Sequence, residues 1–202
     1  MRFACCPYLK WSSVLVAGVL AGMGLHAWFA RSGQAGTVQE KQGPSAEEQV
    51  RKLKLKLPPV SEPTNTLVNA VRVGNLLFVS GTGPGKVDGK TIVGRVGEGF
   101  PFGKGLDVKE GQAAARLVGL QILSVVKQKL GSLDKVKRLV KTFGMVNATP
   151  DFKQHPQVIN GFSDLMVEVF GPEAGKGTRS AVGMSSLPGG IPVEIEAIFE
   201  VR

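Results

Sequence analysis

Two stretches near the carboxyl end are the best equipped for chemistry, Thr178-Arg179-Ser180-Ala181-Val182-Gly183 and, after Ser186-Leu187-Pro188-Gly189-Gly190, Pro192-Val193-Glu194-Ile195-Glu196-Ala197. A guanidinium at the start of a strand, flanked by small residues, can grip a carboxylate through two parallel N–H donors. A glutamate entering the following strand can accept or relay a proton. The intervening Leu-Pro-Gly-Gly turn predicts a hairpin that brings Arg179 and Glu194 to one end of a sheet. Each residue also has a plainer reading. Arg179 could sit in a surface ion pair. Alternation puts Pro192, Glu194 and Glu196 on one face and Val193, Ile195 and Ala197 on the other, so Glu194 could be an outward strand residue.

Other chemistries are poorly supplied. The histidines are His26, inside an apolar segment, and His155, beside Pro156 where a helix starts. A histidine triad or a multi-histidine metal site is therefore not expected. Cys5 and Cys6 are adjacent, so they neither cross-link a core nor pair with a histidine. Gly81-Thr82-Gly83-Pro84-Gly85-Lys86 follows a strand as a phosphate loop would, but Pro84 interrupts the backbone donors. Gly171-Pro172-Glu173-Ala174-Gly175-Lys176 is one residue too short between its glycines and leads into a strand rather than a helix, which excludes nucleotide hydrolysis. No cofactor is expected.

The net charge of +9 over 202 residues raises nucleic acid as a partner. Its distribution argues otherwise. Arg51, Lys52, Lys54 and Lys56 lie ahead of the domain, and Leu67 to Arg202 carries 17 basic against 12 acidic residues. Lys127, Lys129, Lys135, Lys137, Arg138 and Lys141 read as the solvated end of a helix and its loop. The one tyrosine is Tyr8, so a base-stacking platform is lacking and no nucleic-acid partner is expected.

The elements that must position Arg179 and Glu194 follow from periodicity. Leu67 to Val73 and Leu76 to Ser80, joined by Gly74-Asn75, read as a hairpin. A glycine-rich loop runs from Gly81 to Leu106. Asp107 with Glu110 forms a capping-box start for a helix whose apolar face runs through Ala114, Leu117, Val118 and Ile122 to a stop at Gly131. Leu139 to Val146 is a strand, Gln157 to Phe170 a second helix ended by Gly171-Pro172, and Ser180 to Ser186 with Pro192 to Val201 the final hairpin. This order predicts an α+β fold with two helices on one face of a mixed sheet.

Ahead of the domain, residues 31–63 are polar and broken by Gly and Pro, and read as a flexible linker with a short helix at Ala46 to Leu55. Trp11 to Ala30 holds no charged residue and is long enough to cross a hydrocarbon core of about 30 Å. It reads as a membrane anchor or, with Ala27-Trp28-Phe29-Ala30 as cleavage site, as a signal peptide. Residues 1–30 thus predict an exported or membrane-anchored domain, cytoplasmic if the segment is unused.

Gly74-Asn75-Leu76-Leu77-Phe78-Val79-Ser80-Gly81, Val158-Ile159-Asn160-Gly161 and the Arg179 to Ala197 segment, in this order and spacing, resemble the RidA (YjgF, L-PSP endoribonuclease-like) family. Leu57-Pro58-Pro59-Val60 resembles its long-form subgroup. The resemblance implies a chorismate-mutase-like fold over 64–202 and a homotrimer with ligand pockets between subunits. In the deaminating members, the residue matching Arg179 holds the carboxylate of 2-aminoacrylate or a related imine, and the one matching Glu194 orients water or relays a proton. Ser80, Gly81 and Ala181 shape the pocket through backbone groups, and Asn160 lies close by. Leu67 replaces a pocket tyrosine, and Ala181 a cysteine. The implied activity is hydrolysis of small carboxylated imines to 2-keto acids and ammonia, without metal. The alternatives are a carboxylate-binding module without catalysis, and an endoribonuclease.

Overall fold

A computed structural model describes residues 45–63, 66–97 and 105–202. The apolar stretch Trp11 to Ala30 and most of the loop Gly97 to Gly103 lie outside them. The domain is one five-stranded sheet with helices packed on a single face, as the sequence pattern predicts. Strands β1 (Ala70–Val73), β2 (Leu76–Thr82), β5 (Val136–Asn147), β6 (Thr178–Met184) and β7 (Val193–Val201) stand in the order β1-β2-β7-β5-β6. Strands β3 (Lys86–Val87) and β4 (Lys90–Thr91) form a separate small hairpin in the glycine-rich loop, turned by Asp88 and Gly89 at positive φ.

Helix α2 (Val108–Leu130) forms where its end signals dictate. The Asp107 side chain accepts from the Glu110 backbone N–H, Glu110 reciprocates on the Asp107 N–H, and Gly131 closes the helix at φ 81°. Helix α3 (His155–Gly175) runs regularly to Phe170 and breaks at Gly171-Pro172, where Gly171 has φ 79°. Val118, Ile122, Ile159, Phe162, Leu165 and Met166 are fully buried between these helices and the sheet. Val193, Ile195, Ala197, Phe199 and Val201 supply the sheet's side of that core, each about 1 % exposed or less.

The expected final hairpin does not form. β6 pairs only with β5, in parallel, and β7 pairs with β5 and β2, both antiparallel. The reason is the crossover: α3 returns the chain so that β6 runs parallel beside β5. Residues 185–192 then step over the end of β5 to its free edge. Pro188–Gly190, with Gly189 and Gly190 at φ 61° and 70°, make a turn within that step rather than the tip of a hairpin.

The flexible linker also ends earlier than Pro63. Helix α1 (Ala46–Lys52) is seated on the core, with Ala46 and Val50 buried. Ser45 caps it and donates to Asp134 Oδ1 at 2.9 Å, while Glu47 takes the Lys127 ammonium at 2.7 Å and the Leu133 backbone N–H at 3.0 Å. Leu55, Leu57 and Val60 continue the contact. Two apolar residues four apart are a weak signal by themselves, but together with the partners of Glu47 they dock the segment.

Helices α2 and α3 come into backbone contact at Gly161, where an added Cβ would clash with the Gln112 carbonyl oxygen and lie 2.8 Å from its carbon. Alanine gains up to about 1 kcal/mol over glycine in an open helix. Here the clashing atom is backbone, so the helices must part. Gly161→Ala is therefore expected to destabilise the fold by roughly 1–3 kcal/mol, read as a lower urea midpoint. A raised midpoint would show that the close approach is not tight.

Candidate functional site

Arg179 lies on edge strand β6, opposite Thr142 of β5. Thr142 is buried on the helix side, and Arg179 points the same way. Its Nη1 donates to Asn160 Oδ1 at 2.8 Å and to Ser163 Oγ at 3.0 Å. Asn160 and Ser163 are three apart on α3 and so present side by side. One arm of the guanidinium is thereby fixed, and Nε and Nη2 have no partner among the described residues. No carboxylate pairs with Arg179 there either, so the surface ion-pair reading does not hold among these residues.

Two further positions on this strip are small. Ala181 is half-buried, and Gly183 lies under the imidazole of His155, where an added Cβ would come within 2.5 Å of Nε2. His155 opens α3, as its place beside Pro156 predicts, and Phe152 meets it edge-on at 5.1 Å. Burial holds its pKa below the ordinary histidine value, favouring the neutral ring. The sequence reading gave His155 no role at a site. The available signal was Gly183, four residues after Arg179 on the same face of the strand.

Glu194 belongs to a second cluster. It stands opposite Met145, on the sheet face that no helix among the described residues covers. The β2–β7 register shifts between Val79 and Thr82, which brings Gly81 against the Glu194 carboxyl; a Cβ there would clash with Oε1. Ser80 Oγ donates to the Val68 carbonyl at 2.6 Å and the Ser80 N–H to the Asn69 carbonyl at 3.0 Å. These bonds hold the segment of Leu67, itself 54 % exposed, along β2. Partial burial, then the neighbouring charge of Glu196, raise the Glu194 pKa above the ordinary glutamate value. Glu194 has no hydrogen-bond or ion-pair partner among the described residues.

The two clusters are therefore separate within one chain. Thr142 and Met145, the partners of Arg179 and Glu194, are three residues apart on β5, about 10 Å along the strand. β5 itself lies between β6 and β7, and the two side chains leave opposite faces. The expected juxtaposition at a hairpin end is thus corrected, because β5 occupies the place between its two arms. Asn160 and Ala181 go with Arg179; Ser80 and Gly81 go with Glu194.

The uncovered face is apolar at one side. Val71, Val73 and Phe78 are 47, 61 and 40 % exposed. Val71, Phe78 and Ile198, with Lys141 and Glu196, also line a recess of about 290 Å³. Among the described residues, no group of three or more His, Cys, Asp or Glu is placed to hold a metal, and no helix is long and apolar enough to cross a membrane.

A helix layer on one face of a mixed β-sheet makes this an α+β domain, and its likeness to solved members places it in the chorismate-mutase-like class. Residues 48–189 match the family described as "YjgF/chorismate_mutase-like, putative endoribonuclease", and the chain belongs to that family. Protein TCP17 of Trypanosoma cruzi is 41 % identical over 76 % of this chain and 92 % of its own length. Among solved structures, the protein Atu1372 of Agrobacterium tumefaciens, whose function is unknown, is 37 % identical with a TM-score of 0.66, covering 78 % of this chain and 92 % of that one. A structure described as a putative endoribonuclease of Shewanella oneidensis is 28 % identical with a TM-score of 0.69, covering 78 % and 99 %.

The raised Glu194 pKa gives a signed expectation. The folded carboxyl keeps its proton where the unfolded one has lost it. The associated stability is therefore present at low pH and is lost as pH rises through the folded value. Glu194→Gln, which removes the charge and keeps the shape, is expected to melt above wild type at pH 7 and to converge with it by about pH 4. Equal or lower melting at pH 7 would mean that the carboxylate has a partner.

Proposed function

We propose that this chain is a homotrimeric enamine/imine deaminase acting on small carboxylated imines of the 2-aminoacrylate type. The observation that carries this reading is the Arg179 guanidinium, fixed on one arm by Asn160 and Ser163 with Nε and Nη2 left to take a carboxylate. Such a substrate tautomerises to its imine, and protonation makes the imine carbon electrophilic. Water adds there while the Glu194 carboxylate, made more basic than an ordinary glutamate by partial burial and the charge of Glu196, accepts the water proton. Glu194 passes that proton to nitrogen and then takes the proton of the new hydroxyl as the C–N bond breaks, so that the C=O forms and ammonia leaves behind a 2-keto acid.

Arg179 and Glu194 leave opposite faces of one sheet, too far apart to act together on a molecule of three or four carbons. We therefore place the reaction between copies, with Arg179 of one facing Glu194 of the next. The exposed Val71, Val73 and Phe78 supply an apolar face for that contact. Leu67 supports the second reading, a carboxylate-binding module without turnover, because it brings no hydroxyl to the Glu194 side. The apolar segment Trp11 to Ala30 supports an exported or anchored placement, which amino-terminal sequencing of the mature protein would test.

With a dehydratase generating 2-aminoacrylate, the full chain is expected to speed keto-acid release. Arg179→Ala should lose roughly 100-fold, the scale of removing one charged donor, and Arg179→Lys should lose less. Equal rates with wild type, Arg179→Ala and no protein would overturn the deaminase reading, and Arg179-dependent binding of pyruvate without turnover would favour the second.

Phe78→Asp tests the assembly. It is expected to sediment as a monomer with its circular dichroism unchanged and to lose activity with the trimer. Mixing Arg179→Ala with Glu194→Ala subunits should restore part of the activity if each pocket draws on two copies. No recovery after subunit exchange would place both groups in one copy.

A further inference from the structure

A second cavity, of about 620 Å³, opens between the Pro58-Pro59 segment, the loop after β2 and helix α2. It includes neither Arg179 nor Glu194. Its volume is that of a small-molecule site, for which roughly 300–1,000 Å³ is usual. The walls are held in place. Asn69 Nδ2 donates to the Ser61 carbonyl at 2.9 Å, tying the proline segment to the start of β1. On the opposite side Gly85, at φ 75°, lets the backbone run directly beneath the Gln121 carboxamide, where any Cβ would clash with Nε2. Gly83 makes the same allowance for Ile191, whose Cδ1 would lie 2.9 Å from an added Cβ.

The chemistry of the lining is uneven in a way that selects a ligand. Among the described residues that line it, Lys86 is the one charged side chain and none is an acid. Gln121 offers an amide donor and a carbonyl acceptor, and neither has a hydrogen-bond partner among the described residues. Pro58, Pro59, Val60, Val125 and Ile191 give part of the wall an apolar surface, stiffened by the two prolines, beside the neutral polar Ser61, Asn69, Thr82 and Thr91. A lone cation beside a free carboxamide, above rigid apolar walls, matches an anion carried on a flat apolar body.

We propose that this cavity binds an aromatic carboxylate, with the carboxylate on Lys86, the Gln121 amide as second donor, and the ring between the prolines and Ile191. The site is separate from the proposed catalytic pair, since neither Arg179 nor Glu194 lines it, and Gly81, which borders both, is the one group shared with the pocket of the deaminase reading.

The test is an NMR titration of the full chain with benzoate, following the backbone amides of Gly83 and Gly85 and the side-chain amide of Gln121. Saturable shifts are expected at all three. Benzamide should bind at least about tenfold more weakly, the usual scale for losing one charge-assisted hydrogen bond. Lys86→Gln and Gln121→Leu should each weaken benzoate several-fold with circular dichroism unchanged. Arg179→Ala should leave the affinity as in wild type. Absence of saturable shifts at these groups, equal binding of benzoate and benzamide, or wild-type affinity in Lys86→Gln would overturn the proposal. Loss of binding in Arg179→Ala would assign the ligand to the edge-strand arginine instead.

Discussion

Strand β5 is the constraint from which the arrangement of this molecule follows. It runs through residues Val136–Asn147 and carries a parallel neighbour on one edge and an antiparallel neighbour on the other. Its helix-facing residues set the height of α3. Gly144 has no side chain, and a Cβ there would lie 2.6–2.8 Å from three carbons of Ile159, so α3 settles directly on the strand. That low seat brings Asn160 and Ser163, one turn of α3, level with the guanidinium of Arg179. A glycine in the middle of the sheet thus decides the orientation of a side chain on its edge.

Two glutamates show how the same chemical group is put to different ends. Burial pushes the Glu47 pKa upward, but the Lys127 hydrogen bond, the Leu133 N–H and the Lys127 charge together outweigh it and hold the carboxyl below its ordinary value. Those partners fasten α1 to the end of α2. Glu194 experiences burial and a like charge from Glu196 with no compensating donor among the described residues, and its pKa moves the other way. A satisfied carboxylate is a structural fastening, whereas one left without partners on an accessible face is poised to exchange a proton.

Much of this was legible in the amino-acid sequence, and the exceptions share a cause. Asp107, Glu110, Gly131 and Gly171-Pro172 state their helix ends through local chemistry, and the alternation from Val193 to Val201 states which face of β7 is buried. Strand neighbours are not local. Leu187-Pro188-Gly189-Gly190 is compatible with a tight hairpin and with a step across a third strand, and only the parallel seat that α3 gives β6 decides between them. The docking of α1 was missed because two buried residues, Ala46 and Val50, leave a faint pattern while its anchors, Lys127 and Asp134, are distant in the sequence. His155 over Gly183 was missed for the same reason, since a residue without a side chain signals room without saying what fills it.

The separation of Arg179 from Glu194 bears on the proposed activity as a whole. A helix layer protects one sheet face, and the other is left with Val71, Val73 and Phe78 exposed, on the same side as the Glu194 carboxyl, which has no partner among the described residues. The proposed assembly would set the edge strand and its fixed guanidinium against that face of a neighbouring copy. On this reading the two halves of the site are each held rigidly by their own chain, but neither is a catalyst alone. Association would then supply three things together: burial of the apolar face, exclusion of bulk water, and the meeting of cation with carboxyl. The activity would consequently depend on protein concentration through the assembly equilibrium, and substitutions at the open face would reach the chemistry without touching a residue that contacts substrate.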